Sequence, residues 1–303
     1  MVRGAPAEQV RAVARALEAG ITYFDTAPSY GDGRSEESLG RALRELGAWD
    51  RVTVGTKVRL GPDELLDPVA AIRTSIEASL RRLDHATVDL LQLHNHVVHV
   101  REGGQSVRLD EARRGVAEGL ARVVEAGLAR HVGFTGLGEA SALHDLVAHG
   151  RFETVQAYFN VLNPSAGFTG TGAGRQDFEG LIDAAAAAGL GVLVIRPFAA
   201  GALTGSPTRA PAAGSPGTPL VGGGEYERDL QRAQALAPLV AELGLESPLE
   251  MGLRFALAKP GVSTVLVGYS DEAQLESAIR WAERGPLPET VVRRILAPGP
   301  TRS

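Results

Sequence analysis

From residue 6 almost to the end of the chain, amphipathic helical stretches alternate with short apolar runs, and this alternation restricts the fold more than any other feature. Val10, Val13, Ala14 and Leu17 repeat at helical spacing, Gly20 supplies a stop, and the apolar run 21–24 follows at once. Leu39, Leu43 and Leu46 precede the run 52–58 in the same way. Asp67-Pro68 opens a helix through Ile72, Ile76, Leu80 and Leu83, before Val88–Leu93. Further strands are predicted at 131–135, Thr154–Tyr158, 192–196 and 262–267. Helices around 143–147 and 181–188, a long one ending near Gly244 and another from Ser247-Pro248 lie between them.

Strands without inside/outside alternation, each followed by an amphipathic helix, imply a parallel sheet covered by helices, either doubly wound or closed as a barrel. The longest turn-rich stretches, 95–108, 163–175 and 201–224, all follow strands. In an α/β barrel the loops after the strands build the site while the opposite loops stay short. The asymmetry therefore favours one (β/α) barrel domain over residues 1–303. The stretch 201–224, rich in Gly, Pro, Ser and Thr, reads equally as a lid or as plain disorder.

With 31 basic and 36 acidic residues the net charge is −5, and no block of like charge stands out. That argues against binding nucleic acid or an anionic membrane through phosphate neutralisation. The absence of cysteine excludes disulfides, thiolate metal sites and a thiol nucleophile. No apolar run approaches the ~20 residues that cross a bilayer, and the chain does not open on a signal segment, so a cytoplasmic location is the expectation.

Asp25, Tyr30, Lys57 and His94 all fall at or just beyond the ends of the first three predicted strands, which brings them to one rim of the sheet. A buried lysine beside a phenol, held charged by a carboxylate, makes the phenol a proton donor or acceptor. Singly each has a plainer reading: a turn residue, a surface aromatic, a snorkelling lysine, a satisfied histidine. Together they point to catalysis. His94, His96 and His99 invite comparison with a metal cluster, but no carboxylate joins them before Glu102, and solvated loop histidines fit better. No metal is expected. Gly31-Asp32-Gly33 lacks the rest of a dinucleotide fingerprint and reads as a turn.

The run Ile21-Thr22-Tyr23-Phe24-Asp25-Thr26-Ala27-Pro28-Ser29-Tyr30-Gly31, with Ser35-Glu36 and Leu39-Gly40 behind it, resembles the signature of the aldo-keto reductases. The resemblance continues through Gly55-Thr56-Lys57, Asp89-Leu90-Leu91-Gln92-Leu93-His94 and Val155-Gln156-Ala157-Tyr158-Phe159-Asn160. It ends with Gly201-Ala202-Leu203-Thr204-Gly205, Pro260-Gly261-Val262-Ser263 and Gly268. It implies an NAD(P)H-dependent oxidoreductase on a (β/α)8 TIM barrel, reducing an aldehyde or ketone or oxidising the corresponding alcohol or sugar. By position, Tyr30 is the general acid, Lys57 and Asp25 tune it, and His94 orients the substrate carbonyl. The alternative on the same fold is a catalytically weak subunit that senses nucleotide or serves an interaction.

The resemblance also implies cofactor contacts at Thr135, Gln156, Ile195, Arg196, Gly268, Ser270 and Gln274. Thr135-Gly136 stand where the family commonly has Ser-Asn, and Ile195 where it often has a stacking aromatic. Near the C terminus the chain reads Tyr269-Ser270-Asp271, without the basic residue that greets an adenosine 2′-phosphate. NADP(H) is the family's preference, NAD(H) remains open, and Asp271 predicts weak discrimination between them. The family usually begins with a β-hairpin and a first barrel strand. Here only residues 1–6 precede the first helix, so the expectation is a barrel lacking both, with its true start upstream.

Overall fold

A computed structural model describes residues 3–101, 106–171, 175–209 and 225–297. The choice between a lid and disorder for 201–224 falls mainly on residues 210–224, outside the described residues. The chain divides into two compact units, Met1–Gln156 with Ala187–Leu190, and Ala157–Ala186 with Gly191–Ser303.

In the first unit the order is α1 (Pro6–Glu18), β1 (Tyr23–Asp25), α2 (Arg34–Glu45), β2 (Thr53–Val58), α3 (Pro68–Leu83) and β3 (Val88–Leu93). Two short strands follow, β4 (His96–Val98) and β5 (Ser106–Arg108), then α4 (Leu109–Glu111), α5 (Ala117–Glu125), β6 (Ala129–Gly136) and α6 (Ala140–Ala148). The unit closes on β7 (Thr154–Tyr158), which crosses into the second. Strands β1, β2, β3 and β6 pair in that order, all parallel, and β7 is next in the sheet. β4 and β5 pair with each other inside the stretch that the sequence reads as turns.

Local chemistry accounts for the helices. α3 starts because Asp67 accepts a hydrogen bond from the Ala70 amide (3.2 Å) and Pro68 fills the first helical position. It buries Ile72, Ile76, Leu80 and Leu83, the stripe the periodicity predicts. α2 buries Leu39, Leu43 and Gly40, and a Cβ at Gly40 would lie 2.1 Å from the Leu83 carbonyl oxygen. Only glycine lets these two helices approach so closely.

The second unit carries α7 (Leu181–Ala187), β8 (Gly191–Ile195), α8 (Tyr226–Gln234), α9 (Ala237–Glu242), α10 (Pro248–Ala258), β9 (Val262–Val265), α11 (Glu272–Glu283) and α12 (Glu289–Leu296). β8 lies next to β7 and pairs with β9 in parallel, with an irregularity between Val192 and Leu193. Phe159 stacks on Phe255 (5.2 Å between ring centroids) in its core. The single long helix predicted up to Gly244 is two helices. Pro238, in the first turn of α9, lacks the amide that would continue α8. The sheet has seven strands among the described residues, the seven the sequence predicts, with β1 and β9 at its ends.

Candidate active site

The four chemistry-bearing residues belong to the first unit, and the structure gathers them. β1 ends on Asp25, and the β1–β2 register sets Asp25 beside Gly55, two residues before Lys57. The Lys57 side chain is 1% exposed; its ammonium pairs with the Asp25 carboxylate and donates to the Thr26 carbonyl (2.8 Å). The same nitrogen lies 4.7 Å from the centre of the Tyr30 ring. Tyr30 meets His94 edge to face, with ring centroids 5.9 Å apart. On the far side of Asp25, the Gln156 amide nitrogen donates to the other carboxylate oxygen (2.8 Å).

Electrostatics define the states of these groups. Burial works against the Lys57 charge, but the Asp25 carboxylate, then Tyr30, outweigh it, and the lysine is held above its ordinary value. His94 is pushed down to about 3, by burial first and then by the charges of Lys57, Arg59 and His96. Its imidazole is therefore neutral around pH 7 and can donate one hydrogen bond. A second tyrosine, Tyr23, approaches Asp25 from the strand itself. Its hydroxyl is buried without a partner among the described residues, over Gly55, where a Cβ would stand 2.3 Å from it. Burial, then the Asp25 charge, push this phenol above its usual range.

A polar brace behind the lysine went unnoticed in the sequence. Glu36, fully buried, accepts from the Thr56 hydroxyl (2.6 Å) and pairs with Arg82 Nε (2.6 Å). Thr26 donates to the Ser35 hydroxyl (2.9 Å). These bonds tie the start of α2 to the strand residues flanking Lys57. The available signal was the helical spacing of Glu36 with Leu39, Gly40 and Leu43, which puts the carboxylate on the buried stripe of α2, where it demands an internal partner.

Of the residues predicted to contact cofactor, Thr135 is next to last in β6 and Gln156 is at the middle of β7, both buried. The Thr135 hydroxyl is enclosed without a hydrogen-bond partner among the described residues. In the second unit Ile195 ends β8, and Arg196 follows with a left-handed backbone (φ 59°). Ala199 and Ala200 are left-handed too. Non-glycine residues persist in such conformations where the surroundings enforce them, often at ligand sites. A Cβ at Gly268 would meet nothing within 4 Å. Ser270 and Gln274 join a helix cap: Asp271 accepts from the Gln274 amide (2.9 Å), and the Gln274 side chain accepts from the Ser270 amide (2.9 Å). Of the loop histidines, His99 bonds Ser141 (3.0 Å), and no group of three or more side chains able to hold a metal occurs among the described residues.

Residues 3–297 match the sequence model described as the Aldo/keto reductase family. The chain is 26% identical to L-galactose dehydrogenase of Arabidopsis thaliana over 275 residues, covering 90% of this chain and 77% of that protein. It is 27% identical over 290 residues to a putative voltage-gated potassium channel subunit beta of Schizosaccharomyces pombe, covering 89% and 77%. The holo form of the Bacillus halodurans aldo-keto reductase AKR11C1 superposes with a TM-score of 0.72 at 22% identity, covering 98% of this chain and 89% of that one. The fold is the (β/α)8-type barrel of that structure.

Proposed function

Since the chain belongs to the aldo/keto reductase family, whose members are NAD(P)-dependent oxidoreductases, we propose that it interconverts a small carbonyl compound and its alcohol, with Tyr30 as the general acid. The observation that carries this reading is the buried Lys57 ammonium, paired with Asp25 and lying against the Tyr30 ring, with neutral His94 on the ring's other contact. In reduction, negative charge develops on the carbonyl oxygen. The Tyr30 hydroxyl gives its proton there, and His94 donates a hydrogen bond that fixes the oxygen in place. Lys57 stabilises the phenolate left behind, and Asp25 with Gln156 holds Lys57 in position.

The residues present fit a nicotinamide cofactor. The Thr135 hydroxyl, without a partner among the described residues, is a buried polar atom that a carboxamide would satisfy, and Gln156 lies on the adjacent strand. When bound, the reduced nicotinamide supplies the hydride. By the family resemblance, Ile195, Arg196, Gly268, Ser270 and Gln274 are further proposed cofactor contacts. NADP(H) stands ahead of NAD(H) in this proposal, with weak discrimination because Asp271 repels a 2′-phosphate.

No helix of the described residues is long and apolar enough to cross a membrane, and a cytoplasmic enzyme acting as one folding domain over 1–303 completes the reading. A second reading, a nucleotide-sensing or interaction subunit with little turnover, draws on the relative named as a potassium channel subunit. Oxidation of NADPH and NADH, followed by absorbance across a panel of small aldehydes, ketones and sugars, decides between them. Turnover of any panel member that is lost in Tyr30→Phe supports the enzyme; tight cofactor binding with no turnover supports the subunit.

A further inference from the structure

The start of α2 reaches both halves of the contact between the Tyr30 phenol and the Lys57 ammonium. On the lysine side, the Ser35 hydroxyl accepts from that of Thr26 (2.9 Å). Thr26 is itself bound to β2: its amide donates to the Gly55 carbonyl (2.9 Å) and its carbonyl accepts from the Lys57 ammonium (2.8 Å). Glu36, one residue on, accepts from the hydroxyl of Thr56 (2.6 Å), the chain neighbour of Lys57 in β2. On the phenol side, the turn that carries Tyr30 ends on the same helix. The Gly33 amide donates to the Pro28 carbonyl (2.8 Å), and the Ser35 amide to the Tyr30 carbonyl (3.2 Å). Gly31, Asp32 and Gly33 are all left-handed (φ 68°, 52° and 85°), and a non-glycine residue persists in that conformation where its surroundings enforce it.

Arg82, from the neighbouring helix α3, supplies the enforcement. Its stem lies across Gly33, where a Cβ would stand 2.5 Å from the Arg82 Cδ, and its Nε pairs with Glu36 (2.6 Å). One side chain therefore presses on the end of the Tyr30 turn and holds the carboxylate that grips the Lys57 strand. Glu36 and Thr56 are both fully buried. Bonds to an ionised acceptor are short and strong, so the carboxylate is a fixed point to which the ring and the ammonium, 4.7 Å apart, are both referred.

Resting on the reductase reading, we propose that Glu36, backed by Arg82, is a positioning residue for the reaction: it fixes the Tyr30 phenol against Lys57, and so acts on proton transfer and not on the binding of substrate or cofactor.

Removing Glu36 itself would strand the Arg82 charge and endanger the fold, so the test cuts the link at the strand. Thr56→Val keeps the side-chain shape and leaves the Glu36–Arg82 pair whole, whereas Thr56→Ser keeps the hydroxyl. With an aldehyde that wild type reduces at saturating NADPH, Thr56→Val is expected to lower kcat about fivefold or more, with KM and NADPH Kd held within about twofold. Thr56→Ser is expected to restore kcat to within about twofold of wild type. In a Tyr30→Phe background, Thr56→Val should lower kcat by less than about twofold, because the phenol through which it acts is gone. A smaller loss in the single variant, a loss carried by KM or Kd, or an equal loss in both backgrounds overturns the proposal. If wild type reduces no aldehyde, the reductase reading fails. The NMR signals of carbon-13-labelled tyrosine rings then decide the positioning: the Tyr30 signal, identified by its absence in Tyr30→Phe, is expected to move in Thr56→Val and to hold in Thr56→Ser. A Tyr30 signal unmoved in Thr56→Val overturns the proposal.

Discussion

Removing the charges of Asp25 and Lys57 singly and together tests whether they act as one buried unit. The Lys57 side chain is 1% exposed and that of Asp25 15%. In Lys57→Met the carboxylate keeps only the Gln156 amide as a described side-chain donor. In Asp25→Asn the ammonium keeps the Thr26 carbonyl, and the new amide nitrogen must face a donor, either Lys57 or Gln156. Stranding one charge of a buried pair costs about 3–5 kcal/mol, whereas replacing both with neutral groups of similar size is often nearly neutral. Each single variant is therefore expected to lose about 3 kcal/mol out of a total of roughly 5–15, and the double variant clearly less than the sum. The coupling energy should reach about 2–3 kcal/mol. Urea unfolding at pH 7 measures it. That pH is below the ordinary lysine value of 10.5, where the stability contributed by a raised lysine is fully present; it is lost only as pH climbs through the folded value. Losses that add to within about 0.5 kcal/mol would refute the pairing.

Tyr30→Phe keeps the ring contact with His94 but has no proton to give; kcat is expected to fall by about a hundredfold or more while NADPH affinity, read by fluorescence titration, stays nearly constant. Thr135→Val removes a hydroxyl that has no hydrogen-bond partner among the described residues, so the thermal midpoint should hold or rise while cofactor Kd increases about five- to twentyfold; a drop in stability with unchanged Kd would contradict a cofactor role. His94 takes up its proton at about 3 when folded and at an ordinary 6.5 when unfolded, so its contribution to stability is complete above 6.5 and is lost as pH falls toward 3. The slope of urea midpoint against pH from 6.5 to 4 should flatten in His94→Gln. Asp271→Asn preserves the cap of α11 and removes the charge, and is expected to raise the NADPH-to-NADH affinity ratio several-fold; an unmoved ratio would place the 2′-phosphate elsewhere.

The sequence was legible where a periodic or local signal existed. All seven strands of the sheet stand where apolar runs without alternation predicted them, and the caps at Asp67 and Ser247 were visible as Asp-Pro and Ser-Pro. Boundaries were less so: β1 spans only Tyr23–Asp25, its register with β2 starting at Tyr23 beside Thr53, although the Thr22 carbonyl accepts from the Thr53 amide (2.7 Å). The nearness of Asp25, Tyr30, Lys57 and His94 followed from strand order alone. What each side chain bonds did not. Gln156, read as a cofactor contact, also positions Asp25, a bond spanning 131 residues that no spacing reveals. The bonds from the Leu60 amide to the Asn95 side chain and from Thr56 to Glu36 are likewise long-range polar contacts without a period. The cap made by Asp271 and Gln274 had a readable signature, an Asp followed three residues later by Gln before a helical stripe, and reading Asp271 only as a charge overlooked it.

Under the proposed cofactor reading, that cap bears on how cofactor choice can drift between lineages. Asp271 anchors α11 through an oxygen that asparagine supplies equally well, and a single base change in an aspartate codon yields asparagine. The helix would survive such a change while the local charge vanished. Selection for one reducing currency over the other could thus proceed at this position without passing through a poorly folded intermediate, and reverse by the same step.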